Sequence, residues 1–114
     1  MEHPQAIDMF AALAHPTRLA VFRLLVGAGP DGLPALEIGR RLDVVASTLS
    51  GHLGILKRSG VLTATRHARE IHYAANLSAM NDLVGFLLAD CCGGKLENCV
   101  DSNNLLSWPE DAQS

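Results

Sequence analysis

Cys91, Cys92 and Cys99 are the only cysteines in the chain, and they fall within nine residues, in Asp90-Cys91-Cys92-Gly93-Gly94-Lys95-Leu96-Glu97-Asn98-Cys99. An odd count argues against a simple disulfide framework. Kept reduced, thiols so placed are open to metals. Three thiolates without a fourth ligand suit a soft three-coordinate ion, whereas a structural zinc site wants four ligands. Trivalent arsenic or antimony fits three sulfurs and a lone pair. The adjacent pair Cys91-Cys92 supplies two sulfurs at little entropic cost, and Gly93-Gly94 frees the chain to fold back so that Cys99 approaches them. Other readings stay open on these residues alone. Cys91 can be a small buried hydrophobe. Mercury, cadmium or lead would take the same sulfurs, and the cluster also suits a thiol redox switch.

The element that carries the cluster is a helix. Leu77, Met80, Val84, Leu87 and Cys91 recur at three- and four-residue steps, with Leu83 and Leu88 flanking, and Gly93-Gly94 ends the run. This near-heptad stripe on the last helix of a small domain reads as a dimer seam through Leu77, Met80, Val84 and Leu87, the alternative being a core helix of one chain.

A second constellation lies in mid-chain, from Val44 to Gly60. Apolar residues at 45, 49, 53 and 56 give one helical stripe, and the opposite face begins with Ser47, Thr48, Ser50 and His52, beside Gly51. Lys57 and Arg58 suit the negative end of the helix, and Gly60 supplies a stop. Small hydrogen-bonding groups on the N-terminal half and cations at the end suit insertion into a DNA major groove. Upstream, Ala35–Leu42 forms a short helix with apolar positions 35, 38 and 42 and Pro34 at its start, and only Asp43 and Val44 separate the two. That is a helix-turn-helix. Downstream, residues 61–74 alternate at both ends around a basic middle of Arg66, His67 and Arg69, a β-hairpin wing able to lie along a phosphate backbone. Val45 stands at the helix start and cannot accept the orphan N–H bonds there. Ser47 is the alternative cap, which would start the helix later.

The run from Phe10 to Tyr73 resembles the ArsR/SmtB family of metal-responsive winged-helix repressors. The resemblance is carried by Ala12-Leu13-Ala14-His15-Pro16-Thr17-Arg18-Leu19, by Ser47-Thr48-Leu49-Ser50-Gly51-His52-Leu53, by Leu56-Lys57-Arg58-Ser59-Gly60-Val61-Leu62, and by a wing ending in His72-Tyr73. It implies a homodimer through the first and last helices that binds a palindromic operator. Two known sensor positions of the family are empty here. The first helix of the helix-turn-helix, Ala35-Leu36-Glu37-Ile38-Gly39, holds no cysteine, and no His lies between residues 73 and 91 to complete a zinc site with Asp82 and Asp90. What remains resembles the arsenic sensors with three cysteines at the end of the last helix. The function implied is release of an arsenic-resistance operator when As(III), or Sb(III), binds Cys91, Cys92 and Cys99. The rivals are a winged-helix regulator of another thiophilic metal or of thiol oxidation, and a small thiol oxidoreductase. The last would want a Cys-x-x-Cys or a helix N-terminal thiol, and an adjacent pair at a helix C-terminus disfavours the thiolate. The chain reads as no enzyme and needs no organic cofactor.

Composition agrees with a DNA binder only when resolved along the chain. The net charge is −3, but between residues 38 and 73 six cations (Arg40, Arg41, Lys57, Arg58, Arg66, Arg69) meet two acids (Asp43, Glu70), a net +4. Residues 74–114 hold Lys95 against six acids, a net −5. DNA feels the local patch, within a Debye length of about 10 Å at 0.1 M salt. With 48% apolar residues and five aromatics, the core should be aliphatic. No run reaches the roughly 20 apolar residues of a bilayer span, and Met1–Gln5 lacks a signal-peptide start, so a cytoplasmic protein without membrane contact is expected. Residues 6–14 form a first helix with Ile7, Phe10, Ala11, Leu13 and Ala14 inward. Pro16 opens a second, with Leu19, Val21, Phe22, Leu25 and Val26 on its apolar face, and residues 27–32 form a loop. His15 reads as structural, and Arg18 and Arg23 either cap or touch phosphate. The expected architecture is mainly α with a small β-hairpin, an α+β winged helix-turn-helix. Residues 1–99 form the DNA-binding and dimerisation domain, and 100–114 a flexible acidic tail.

Overall fold

The computed structural model describes residues 1–89, in the order α1 (His3–Leu13), α2 (Pro16–Ala28), β1 (Leu33–Pro34), α3 (Ala35–Leu42), α4 (Ala46–Ser59), β2 (Leu62–His67), β3 (Glu70–Ala75) and α5 (Leu77–Leu87). Each boundary has a local cause. Pro16 fits the first turn of α2, where its missing N–H is no loss, and the His15 Nδ1 accepts the Thr17 N–H at 3.1 Å as the cap. Asp43 takes a left-handed conformation (φ 56°, ψ 50°) between α3 and α4, which makes the tight turn of the helix-turn-helix. Gly60 ends α4 at φ 93°, its N–H returning to the Lys57 carbonyl. The Asn76 side chain caps α5 through the Ala79 N–H and also donates to the Gly60 carbonyl, tying α5 to the end of α4.

The core is aliphatic, as composition predicts. Leu49, Leu53 and Leu56 of α4 meet Ile38 of α3, Val21 and Leu25 of α2, and Met9 and Ala12 of α1 in one cluster. No polar or charged residue is buried among the described residues. Each such leucine contributes about 1.5–3 kcal/mol relative to leaving it in water. α4 thus has its inner face fixed by the core, and its outer face is left to solvent.

The antiparallel sheet has the order β1-β3-β2. β2 and β3 pair from Leu62↔Ala75 to His67↔Glu70 around the two-residue turn Ala68-Arg69, the expected wing. The short β1, between the expected loop over 27–32 and the helix start at Pro34, pairs Leu33 with Tyr73 and Pro34 with His72. Gly32 makes this possible. It sits at φ +69°, and a Cβ there would lie 2.1 Å from the Tyr73 carbonyl oxygen. Only a residue without a Cβ allows so close an approach.

Several expectations need correction. On α2, Leu19 and Val26 of the expected apolar face are exposed (45% and 39%), while Val21 and Leu25 are buried. α1 begins at His3 with proline in its first turn, and its buried stripe is Ala6, Met9 and Ala12. Ile7 and Phe10 point outward (62% and 45% exposed), and Ala11 and Ala14 are also exposed. α4 begins at Ala46 with Val45 as an N-cap that makes no side-chain bond, so Ser47 lies inside the first turn and is not the cap. The described part of α5 ends at Leu87, where the expected helix runs on to Gly93-Gly94. Cys91, Cys92, Cys99, the boundary at 99/100 and the acidic tail lie outside the described residues.

Candidate nucleic-acid interface

The core fixes the roll of α4. With Leu49, Leu53 and Leu56 buried, 3.6-residue periodicity turns Ser47, Thr48, Gly51 and Arg58 away from the molecule, and all four are exposed. Ser50 and Lys57 are exposed on one flank of this face. A Cβ on Gly51 would meet nothing within 4 Å, so the helix backbone itself is accessible there. Val45 makes no side-chain cap bond, so among the described residues α4 starts without an N-cap side chain on its first N–H groups. Hydroxyls, open backbone and a terminal cation on one solvent-facing stripe are the components from which a major-groove reader is made.

His52 does not share that stripe. It is half-buried, its ring 4.7 Å from that of His15, with Nδ1 enclosed and unpartnered. Burial, reinforced by His15 and the Arg18 guanidinium, holds its pKa below the ordinary histidine value. Arg18 in turn donates from Nε to the Ala12 carbonyl at 2.6 Å, closing the C-terminal end of α1. Arg18 therefore caps, and His15 caps α2, as structural readings of both residues require.

The wing presents Arg66, His67 and Arg69 at its exposed tip. Ala68 takes φ 56° in the turn, and the Arg66 Nε donates to the Ala68 carbonyl at 3.2 Å, steadying the tip. The register puts Arg66 opposite Ile71 and His67 opposite Glu70, so Arg66 and His67 lie on opposite faces of the hairpin. His67 stacks on His72 with ring centroids 4.2 Å apart.

On α3, Glu37 binds both Arg40 (Nε–Oε1 2.9 Å) and Arg41 (Nε–Oε2 2.7 Å). The Arg40 hydrogen bond first, and the Arg41 one second, hold the Glu37 carboxyl down at about 2. One carboxylate against two guanidiniums leaves a net positive charge on this exposed turn. Sequence reading placed both arginines in the basic patch without giving them a role.

The expected dimer stripe divides between two jobs. Met80 is 8% exposed and belongs to the chain's own core with Leu83, and Leu77 packs against it. Val84 is half-buried and Leu87 is exposed (55%). Of that stripe Leu87 is the residue left exposed, and on α1 Ile7 and Phe10 are exposed as well. A ring contact between His3 and Phe86 (5.0 Å) holds the start of α1 against α5.

Comparison with known proteins agrees with this geometry. A helix-turn-helix domain model matches residues 13–65. The chain is 31% identical over 83 residues to the HTH-type transcriptional regulator YgaV of Escherichia coli, which covers 73% of this chain and 82% of that one. It is 28% identical over 81 residues to the transcriptional repressor SdpR of Bacillus subtilis, covering 71% of this chain and 87% of that one. The chain belongs to the helix-turn-helix transcriptional regulators, and it is no enzyme. Its fold is a winged helix-turn-helix, like that of an ArsR-like regulator from Rhodococcus, which superposes with a TM-score of 0.67 over 84% of this chain and 86% of that one, at 24% identity. Among the described residues no single helix is long and apolar enough to cross a membrane.

Proposed function

We propose that the chain is a cytoplasmic, homodimeric transcriptional repressor that leaves the operator of an arsenic-resistance operon when As(III), or Sb(III), binds Cys91, Cys92 and Cys99. The observation that supports DNA recognition is the solvent-facing stripe of α4, Ser47, Thr48, Gly51 and Arg58, with the basic wing beside it. The repressor SdpR and the regulator YgaV are the relatives that favour a regulatory role. Dimerisation is favoured by the exposed Ile7, Phe10 and Leu87, large apolar side chains on the first and last helices. A two-fold axis through that face sets two α4 helices against half-sites about one DNA turn apart, roughly 34–36 Å.

The thiol site rests on chemistry and sequence position. Three cysteines in nine residues follow α5 in sequence, the helix whose Leu87 is exposed. Drawing Cys99 toward Cys91 and Cys92 alters the end of that helix and with it the spacing of the two reading heads. A coupling of about 1–3 kcal/mol lowers duplex affinity roughly 5- to 150-fold. The test is titration of the reduced protein on its operator with arsenite, zinc and peroxide in parallel arms. Release by arsenite, lost in Cys91→Ser, Cys92→Ser and Cys99→Ser without loss of duplex binding, supports the reading. Release by arsenite in all three variants places the sensor elsewhere. Release by peroxide alone replaces the metalloid with thiol oxidation.

A further inference from the structure

A trough opens between α3, α4 and the base of the wing, with a volume of about 310 Å³. Leu36, Val44, Leu49 and Tyr73 give it apolar walls, and Arg40 and Ser50 are the polar side chains among those lining it. It adjoins a second hollow of about 300 Å³ that shares Leu36 and Tyr73 and runs on past Ile71 to Arg69. At its floor α3 lies close against the turn that leads into α4. Gly39 comes so near that a Cβ would lie 2.9 Å from the Val44 carbonyl oxygen. Both hollows carry exposed apolar side chains, for Leu36, which lines both, is 79% exposed and Ile71 of the second 47%. We infer that this trough is an effector site for a small amphipathic carboxylate, whose apolar body lies along Leu36 and Tyr73 and whose head meets Arg40.

Charge decides the head group. Arg40 and Arg41 share the single carboxylate of Glu37, and the Arg40 side chain is 70% exposed. When Arg40 turns into the trough, Arg41 retains Glu37, so a carboxylate meets a free guanidinium without stranding an acid. Arginine and carboxylate match in a two-pronged hydrogen bond that neutral or cationic heads lack. The volume sits at the lower end of the small-molecule range of about 300–1,000 Å³, which suits a chain or ring of modest size.

Occupancy bears on the reading head. The same walls include Leu49 and Ser50 of α4 and Tyr73 of β3, so an occupant touches the recognition helix and the wing together. A ligand that prefers the free form over the duplex-bound form lowers duplex affinity by the ratio of its two affinities. This input lies on the head and is independent of Cys91, Cys92 and Cys99.

The probe is sodium octanoate, with 1-octanol as neutral comparator. Its affinity is read from NMR shifts of the free full-length protein, and its effect from anisotropy of a labelled duplex selected by the protein from a random pool. The duplex readout rests on the DNA-binding function proposed above, whereas the shifts on free protein do not, so the two failures are distinguishable. Octanoate should shift Leu36, Leu49 and Tyr73 saturably, bind more tightly than octanol, and weaken the duplex at least threefold. Arg40→Gln should weaken octanoate about tenfold, and Leu36→Glu, at an exposed position, should abolish it while the fold is retained. The Cys91→Ser, Cys92→Ser, Cys99→Ser chain should respond as the parent does. Equal binding of octanoate and octanol, saturable shifts confined to other surfaces, or an unchanged duplex affinity with the trough filled would each overturn the inference.

Discussion

Removing Arg66 and Arg69 from the wing should change how duplex affinity depends on salt, more than it changes affinity at any one salt. Lys57, Arg58, Arg66 and Arg69 are exposed on the face that carries the outer stripe of α4 and the wing tip. In a dimer these make eight cations. Each phosphate neutralised contributes about −0.9 to the slope of log affinity against log salt, so full engagement gives a slope of about −7. Over a rise from about 50 to 200 mM salt, affinity then falls by roughly four decades. Arg66→Ala with Arg69→Ala removes half the contacts, leaving a slope of about −3.6 and a loss of roughly two decades over the same range. The assay is fluorescence anisotropy of a labelled duplex at five or more salt concentrations. The reasoning fails if the double variant keeps the parent's slope, because the wing then makes no contact with the backbone. A uniform loss of affinity with no change of slope would also refute it.

Three further outcomes follow from local geometry. Val45→Ser supplies the cap that α4 lacks and should stabilise the chain by about 0.5–2 kcal/mol, seen as a rise of a few degrees in Tm; an unchanged Tm means the first turn is already satisfied. Gly32→Ala places a Cβ 2.1 Å from the Tyr73 carbonyl at φ +69° and should destabilise by about 2 kcal/mol or more in urea unfolding, so a parent-like midpoint would contradict the β1–β3 pairing. His52 has a folded pKa below its ordinary value, so as pH falls from about 7 the unfolded chain takes up the proton first and stability declines until the lowered folded pKa is passed. His52→Gln should flatten that decline relative to the parent, and identical pH profiles would show that the enclosed ring carries no such penalty.

Strong local codes were legible. Pro16, Pro34 and Gly60 mark helix ends that the structure keeps, and residues 35–42 are a helix as read. The wing followed from alternation around a basic turn. The phase of α1 was not legible, because large apolar side chains were assigned inward. Ile7 and Phe10 instead face out, and Ala6, Met9 and Ala12 fill the narrow space over α4. A helix that serves two surfaces carries two apolar stripes, and size alone does not say which one the chain keeps. β1 left no periodic trace, being two residues long and containing a proline. The roll of α4 was legible for Ser47, Thr48 and Gly51. For His52 the same phase tells against the outer face: it stands three residues after Leu49 and four before Leu56, and its ring meets that of His15.

Arg18 closes the end of α1, the neighbouring His15 opens α2, and the His15 ring rests on His52 of α4. α1 also borders α4 directly, through a shallow hollow walled by Ala11, Ala12, Ile55 and Ser59. The helix that carries Ile7 and Phe10 outward is therefore braced against the helix that carries the hydroxyls at both of its neighbouring joints. Should two copies meet on α1, as proposed above, any reorientation there would pass to the groove-facing hydroxyls through this brace, without any bending of the hairpin.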